Sequence, residues 1–340
     1  MNEPHAADEL FASLLDGMPQ SADRRHAQQL LRAAVDLVQQ HPETLDLKIA
    51  AAALQEMGDA FAMFAHAKDA PKVSIFGSAR TLEDDPLYMA TKEVAYRLAV
   101  EGWMVITGAG PGIMQAGMEG AGRENSIGVS IRLPFEQGAN HVIEGDSKYV
   151  SMKYFFTRKL MLIKESLGFV CLPGGFGTLD ETFELLTLTQ TGKGLPVPIV
   201  FLDVPGDPYW ETVDHFVREQ LVERGLVSEA DRSLYLITDD CEVAVNEIIG
   251  FYRNYDSMRY VGETLVIRLR HEPTIDQLRL LNQRFGHLCK SGDIHVSDAI
   301  GPERKDHDRV HLPRIAFVFA KHGYGDLREM IDLCNTFVED

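Results

Sequence analysis

The chain has 340 residues, 45% of them apolar and 25% charged, which is the profile of a globular protein long enough for two domains or for one domain with sizeable extensions. Its formal charge of -18, from 33 basic and 51 acidic residues, opposes binding to nucleic acid or to an anionic membrane but leaves room for a small anion held by local arginines and helix N-termini. Met1-Asn-Glu-Pro lacks a basic and apolar leader, and no apolar run reaches the roughly 18 residues of a membrane span. We therefore expect a cytoplasmic protein with its four cysteines, Cys171, Cys241, Cys289 and Cys334, reduced.

Residues 1–70 read as a helical N-terminal extension. Ser21 is placed to cap a helix through Gln28-Gln-Leu-Leu-Arg-Ala-Ala-Val. Pro42 breaks it, and a second, Ala-rich helix runs from Glu43 to about Lys68. The expected role is to cover the core or to meet another subunit.

Residues 71–254 alternate strand and helix. Strands are expected at Val73-Ser-Ile-Phe, Trp103-Met-Val-Ile-Thr, Ile127-Gly-Val-Ser-Ile, Phe169-Val-Cys-Leu, Pro198-Ile-Val-Phe-Leu and Leu234-Tyr-Leu-Ile. That alternation predicts an α/β, Rossmann-like, doubly wound parallel sheet, with ligands beyond the carboxyl ends of its strands. After a linker at about Asn254 to Val261, residues 255–340 change character. A β-α-β-β-α order over Thr264–Leu269, Thr274–Leu288, Asp293–Val296, Ile315–Phe319 and Asp326–Phe337 predicts a small α+β domain of ferredoxin-like or ACT-like flavour.

Glycine-rich turns close three of the core strands. The first is Phe76-Gly77-Ser78-Ala79-Arg80, where Gly77 permits close approach and Ser78 offers a hydroxyl. The second is Thr107-Gly108-Ala109-Gly110-Pro111-Gly112-Ile113-Met114, whose spacing fails the dinucleotide fingerprint. The third, Pro173-Gly174-Gly175-Phe176-Gly177-Thr178-Leu179-Asp180-Glu181, joins a buried strand to a helix. Its free N–H groups and the helix dipole favour a phosphate, and Glu181 is expected in the first helical turn. Two readings of Glu181 stand side by side: a carboxylate for chemistry on a phosphorylated ligand, or the partner of Thr178 in a capping box. Upstream, Arg158-Lys159 sits in an otherwise apolar helix, where a buried arginine needs an anionic partner such as Glu181 or a ligand phosphate. Glu184 could reach ribose hydroxyls or lie solvated. Two histidines, His307 and His311, have helical zinc spacing but sit in a charged, loop-like stretch without a third ligand, so no metal is expected.

Arg158-Lys159 followed by Pro-Gly-Gly-x-Gly-Thr-x-x-Glu resembles the signature of the LONELY GUY (LOG) family, often labelled "lysine decarboxylase". The Gly-Ser and Gly-x-Gly turns agree with it, with Ala109 in place of a middle glycine and Phe155 where short members carry methionine. The resemblance covers about residues 72–252. It implies a phosphoribohydrolase that splits the N-glycosidic bond of nucleoside 5'-monophosphates, AMP or a cytokinin ribotide, into free base and ribose 5-phosphate. It further implies Arg158 and Glu181 as catalytic residues and no cofactor. Substrate and phosphate would lie on Gly77, Ser78, Gly108, Gly110, Gly112, Lys159, Gly174, Gly175, Gly177 and Thr178. LOG proteins are at least dimers, so a homo-oligomer is expected. The alternative is a non-catalytic carrier of a nucleotide or of the molybdenum cofactor on the same fold, against which the presence of both Arg158 and Glu181 argues. A pyridoxal-phosphate decarboxylase is not expected, for want of a Ser-x-His-Lys run.

Overall fold

The computed structural model describes residues 6–18, 22–133 and 138–338, so the expected cap Ser21 lies outside the described residues. The chain divides into two compact units, one up to Gly58 and one from Asp59 onward. The first holds α1 (Ala6–Leu14), which the sequence reading missed, α2 (Ala22–Gln39) and most of α3 (Thr44–Ala65). Pro42 stands in the break between α2 and α3, where its missing N–H costs no helical bond.

In the second unit the long apolar runs become strands because both of their faces are covered. They are β1 (Lys72–Phe76), β2 (Met104–Thr107), β3 (Ser126–Ile131), β4 (Tyr149–Met152), β5 (Gly168–Cys171), β6 (Ile199–Leu202) and β7 (Leu236–Thr238). The intervening helices include α4 (Pro86–Val100), α5 (Ile113–Ala121), α6 (Phe155–Lys164), α7 (Phe176–Gln190), α8 (Tyr209–Phe216) and α9 (Cys241–Gly250). The seven strands lie in the order β4-β3-β2-β1-β5-β6-β7, and every pairing is parallel. Side chains of alternate strand residues, among them Val73, Ile75, Val170, Leu172, Val200 and Leu202, meet Val94, Leu98, Ala244 and Ile248 of α4 and α9 in one dry cluster. Strand order reverses between β1 and β5, so the crevice of a doubly wound sheet opens beyond Phe76 and Cys171.

The remaining elements are β8 (Tyr255–Val261), β9 (Thr264–Leu269), α10 (Ile275–Phe285), β10 (Cys289–Val296), α11 (Gly301–Asp306), β11 (Arg314–Phe319) and α12 (Tyr324–Asn335). They form a separate antiparallel sheet in the order β10-β11-β9-β8. The expected linker is therefore strand β8. The order is β-β-α-β-α-β-α, with the short α11 between β10 and β11, rather than the β-α-β-β-α-β of a ferredoxin-like fold. One face of this sheet, with Leu265, Ile267, Phe317 and Phe319, packs on Leu281, Phe285, Leu327 and Ile331 of α10 and α12. Helix α12 also ties the two sheets together. Arg328 donates to the Val197 carbonyl at 3.3 Å and pairs with Glu247 of α9, and the Ser233 hydroxyl donates to the Gly325 carbonyl at 2.9 Å.

Candidate functional site

A cavity of about 1000 Å³ occupies the crevice at the strand reversal. It is lined by Gly77 and Ser78 after β1, Gly108 and Gly110 after β2, and Gly174, Gly175, Gly177 and Thr178 around the start of α7. Arg158 of α6 and Glu181 of α7 reach into the same space. The structure thus brings ten of the twelve expected site residues to one cavity. The other two, Gly112 and Lys159, do not line it.

Gly112 caps α5 with a positive φ of 66°, which favours glycine, and its place is behind the Ser78–Ala79 backbone rather than on the cavity wall. Lys159 lies one residue beyond Arg158, so it leaves the helix on a different face. Its ammonium meets Asp180 at 3.1 Å and also Glu184. Burial works against that charge, but the Glu184 and Asp180 carboxylates hold the Lys159 ammonium above the ordinary lysine value. The same pairing accounts for Glu184, which serves Lys159 and is not on the cavity wall.

The start of α7 bears on the capping-box reading of Glu181. The helix begins at Phe176 with Gly175 as its N-cap, and no side chain caps it. Thr178 is therefore the third helical residue and not the cap, and Glu181 falls in the second turn, not the first as expected. A Thr178–Glu181 capping box is not formed. The uncapped first turn instead offers its N–H groups to the cavity, the arrangement that binds phosphate. Gly174 precedes it in a tight place: a Cβ there would run into the Thr178 side chain and lie 3.1 Å from the Ser78 amide nitrogen.

Arg158 and Glu181 form an ion pair of 3.1 Å, with side chains only 10% and 12% exposed. The guanidinium is aimed by a second bond, from Nε to the Val129 carbonyl of β3 at 3.1 Å. It lies so close to β2's turn that a Cβ on Gly108 would sit 2.5 Å from Nη2. Burial raises the Glu181 carboxyl above its ordinary range, and Arg158 only partly offsets this. A carboxylate moved toward neutrality in this way is suited to accept a proton. Below it, burial pushes the Cys171 thiol up to about 12, leaving an inert packing group.

Several wall residues carry no sequence motif. Ser130 and Tyr149, whose hydroxyls lie 2.8 Å apart, come from β3 and β4. Arg132 joins Arg80, the cation of the first glycine turn, in adding positive charge to the lining of a strongly acidic chain. Tyr209, at the first position of α8, donates its hydroxyl to the Gly174 carbonyl at 2.7 Å. Its position just after a parallel strand's carboxyl end was the available signal. His307, by contrast, ends α11 in a left-handed conformation, so it and His311 do not share a helix face. Among the described residues no cluster of acids, histidines or cysteines could hold a metal ion, and no helix is long and apolar enough to cross a membrane.

A family model described as "Possible lysine decarboxylase" matches residues 112–248. Two cytokinin riboside 5'-monophosphate phosphoribohydrolases of Arabidopsis thaliana are similar to this chain: LOG1 is 29% identical over 101 residues, 30% of this chain and 46% of that protein. LOG3 is 32% identical over 91 residues, 27% of this chain and 40% of that protein. The chain spans about half the length of the curated relatives it matches. Among solved structures, a molybdenum cofactor carrier protein of Chlamydomonas reinhardtii aligns over 53% of this chain and 96% of its own, with 20% identity and a TM-score of 0.38. A molybdenum cofactor binding protein of Rippkaea orientalis aligns over 53% and 95%, with 18% identity and a TM-score of 0.37. Neither likeness bears on the chemistry. The matched segment of residues 112–248, with Arg158 and Glu181 inside it, is where this chain is similar to the LONELY GUY family.

Proposed function

We propose that this protein hydrolyses the N-glycosidic bond of a purine nucleoside 5'-monophosphate, AMP or a cytokinin ribotide, releasing free base and ribose 5-phosphate. The observation that carries the reading is the buried Arg158–Glu181 pair, 3.1 Å apart, opening on the same cavity as the uncapped start of α7. The 5'-phosphate is received by the backbone N–H groups of Gly174 to Thr178 and the Thr178 hydroxyl. As the bond to the base breaks, positive charge develops at the ribose C1'. The Glu181 carboxylate stabilises that charge and takes a proton from the attacking water. Arg158 holds Glu181 in place and faces the negative charge that gathers on the leaving base. Water supplies the hydroxyl on C1' and the proton on the base, so the reaction needs no cofactor.

The test is incubation of the purified chain with a panel of nucleoside monophosphates and assay for free base. Release from a purine monophosphate is the expected result. Turnover that depends on NAD, pyridoxal phosphate or zinc would overturn the reading, as would tight binding of a pterin cofactor with no cleavage of any nucleotide. We extend the proposal to a cytoplasmic homo-oligomer. Phe156 and Leu160 share an exposed face of α6, and Phe155 and the 93% exposed Phe176 stand at the cavity. Light scattering that gives the mass of one chain at micromolar concentration would reject this extension.

A further inference from the structure

We propose that Tyr209 is a positioning residue for the phosphate, acting through the backbone of the Gly174–Gly175 turn; the inference rests on the reading of that turn as the phosphate site. A turn that binds an anion must keep its carbonyls away from the ligand, because C=O and N–H of a trans peptide point in opposite directions. Here two successive carbonyls are drawn out by donors. The Ser78 amide donates to the Pro173 carbonyl at 3.3 Å, and the Tyr209 hydroxyl donates to the Gly174 carbonyl at 2.7 Å. The first bond fixes the peptide that bears the Gly174 N–H, and the second fixes the peptide that bears the Gly175 N–H. Glycine alone cannot hold such an orientation, since its backbone has more freedom than any other residue's. Tyr209 supplies the restraint and removes a partial negative charge from the rim.

The donor is itself built to stay in place. The Tyr209 amide bonds Asp207 Oδ1 and the Trp210 amide bonds the buried Asp203 Oδ2, each at 3.0 Å, which anchors the first turn of α8. The Trp210 ring is fully buried and stacks on Phe201 with centroids 4.2 Å apart. One turn further, Asp214 accepts from the Tyr235 hydroxyl at 2.7 Å and from Arg232. The Tyr209 hydroxyl thus hangs from a helix fixed at several points, while its ring lines the cavity.

Tyr209→Phe keeps the ring and deletes the one oxygen. Losing a hydrogen bond that aligns the turn should weaken ribose 5-phosphate binding roughly tenfold by titration calorimetry. Binding of adenine, which has no phosphate, should be unchanged. With AMP as substrate, KM should rise in step and kcat should stay within about threefold. A purely structural bond would lower thermal stability without this split. Unchanged ribose 5-phosphate affinity in the variant would overturn the inference, as would an equal loss of adenine binding, or a parent protein that binds no ribose 5-phosphate. If the parent binds ribose 5-phosphate but cleaves no nucleotide, the hydrolase reading fails while the titration still decides the role of Tyr209.

Discussion

Two sites of the second unit where arginine and glutamate are buried together are built to opposite ends. Beside the C-terminal sheet, Glu303 of α11 is fully buried between Arg268 of β9 and Arg314 of β11. Its Oε1 accepts from Arg268 Nε and Nη2 at 2.9 and 2.7 Å, and its Oε2 meets the Ile300 amide at 3.1 Å and Arg314 Nη1 at 2.9 Å. Burial opposes the charge, but Arg268, the Ile300 N–H and Arg314 together hold the Glu303 carboxyl below its ordinary range. Beside the parallel sheet, Glu181 of α7 has one ion-pair contact among the described residues, to Arg158, and burial wins. The residue types are the same. The number of donors on the carboxylate, and the cavity beside it, separate a closed structural knot from a group left able to react.

The comparison breaks first at Glu303. Glu303→Ala leaves Arg314 buried without its anion and Arg268 with Asp308 alone, which should cost about 3–5 kcal/mol. Urea unfolding measures it, and a midpoint equal to the parent's would show that the knot holds nothing. Glu181→Gln tests the other side. It keeps the shape and removes a charge that burial disfavours, so stability should hold or rise. The rate constant kcat should fall by roughly two orders of magnitude or more. A variant that loses stability and keeps its rate would reverse the assignment of the two pairs.

The same contrast bears on what a reader of the sequence can see. Strands β1, β2, β3, β5 and β6 are legible because burial on both faces writes them as mostly apolar runs, broken only by small polar residues such as Ser74 and Ser130. Strand β8 is not, because a register shift between Tyr255 and Ser257 breaks the period-two pattern and leaves a buried residue only at Tyr255 and Met258. Arg158, Glu181 and the three glycine turns are legible because each lies in a short motif of local spacing. The start of α7 is misjudged because Gly177, which reads as turn, lies inside the helix. Tyr209 has no local spacing at all: it meets Gly174 across 35 positions of sequence, and only the sheet topology brings them together.

A sharper version of the comparison uses pH. Hydrolysis by the proposed route needs the Glu181 carboxylate, so kcat/KM should fall as pH drops through a value above the ordinary glutamate range. Arg158 lowers that value in the folded protein. Residual activity of Arg158→Ala should therefore fail at higher pH than that of the parent. An acid limb that stays where it was would mean that another group sets the profile.

The smallest effect concerns a third buried carboxylate, Asp203, which extends the rule to a group outside the proposed chemistry. Its side chain is 3% exposed, Oδ2 accepts from the Trp210 amide, and among the described residues Oδ1 meets no partner. With one donor, burial prevails and raises the carboxyl from 3.8 to about 6. The sign follows from proton uptake. Between those values the folded state binds more protons than the unfolded state, so the contribution of Asp203 to stability declines as pH rises, and the penalty is complete above the folded value. From pH 5 to pH 7 the penalty should grow by roughly 1 kcal/mol. Asp203→Asn keeps an acceptor for the Trp210 amide and cannot titrate. Whatever its absolute stability, its unfolding free energy should decline less than the parent's between pH 5 and pH 7. Parallel curves for the two proteins would show that the number of donors does not set the charge cost of these buried acids.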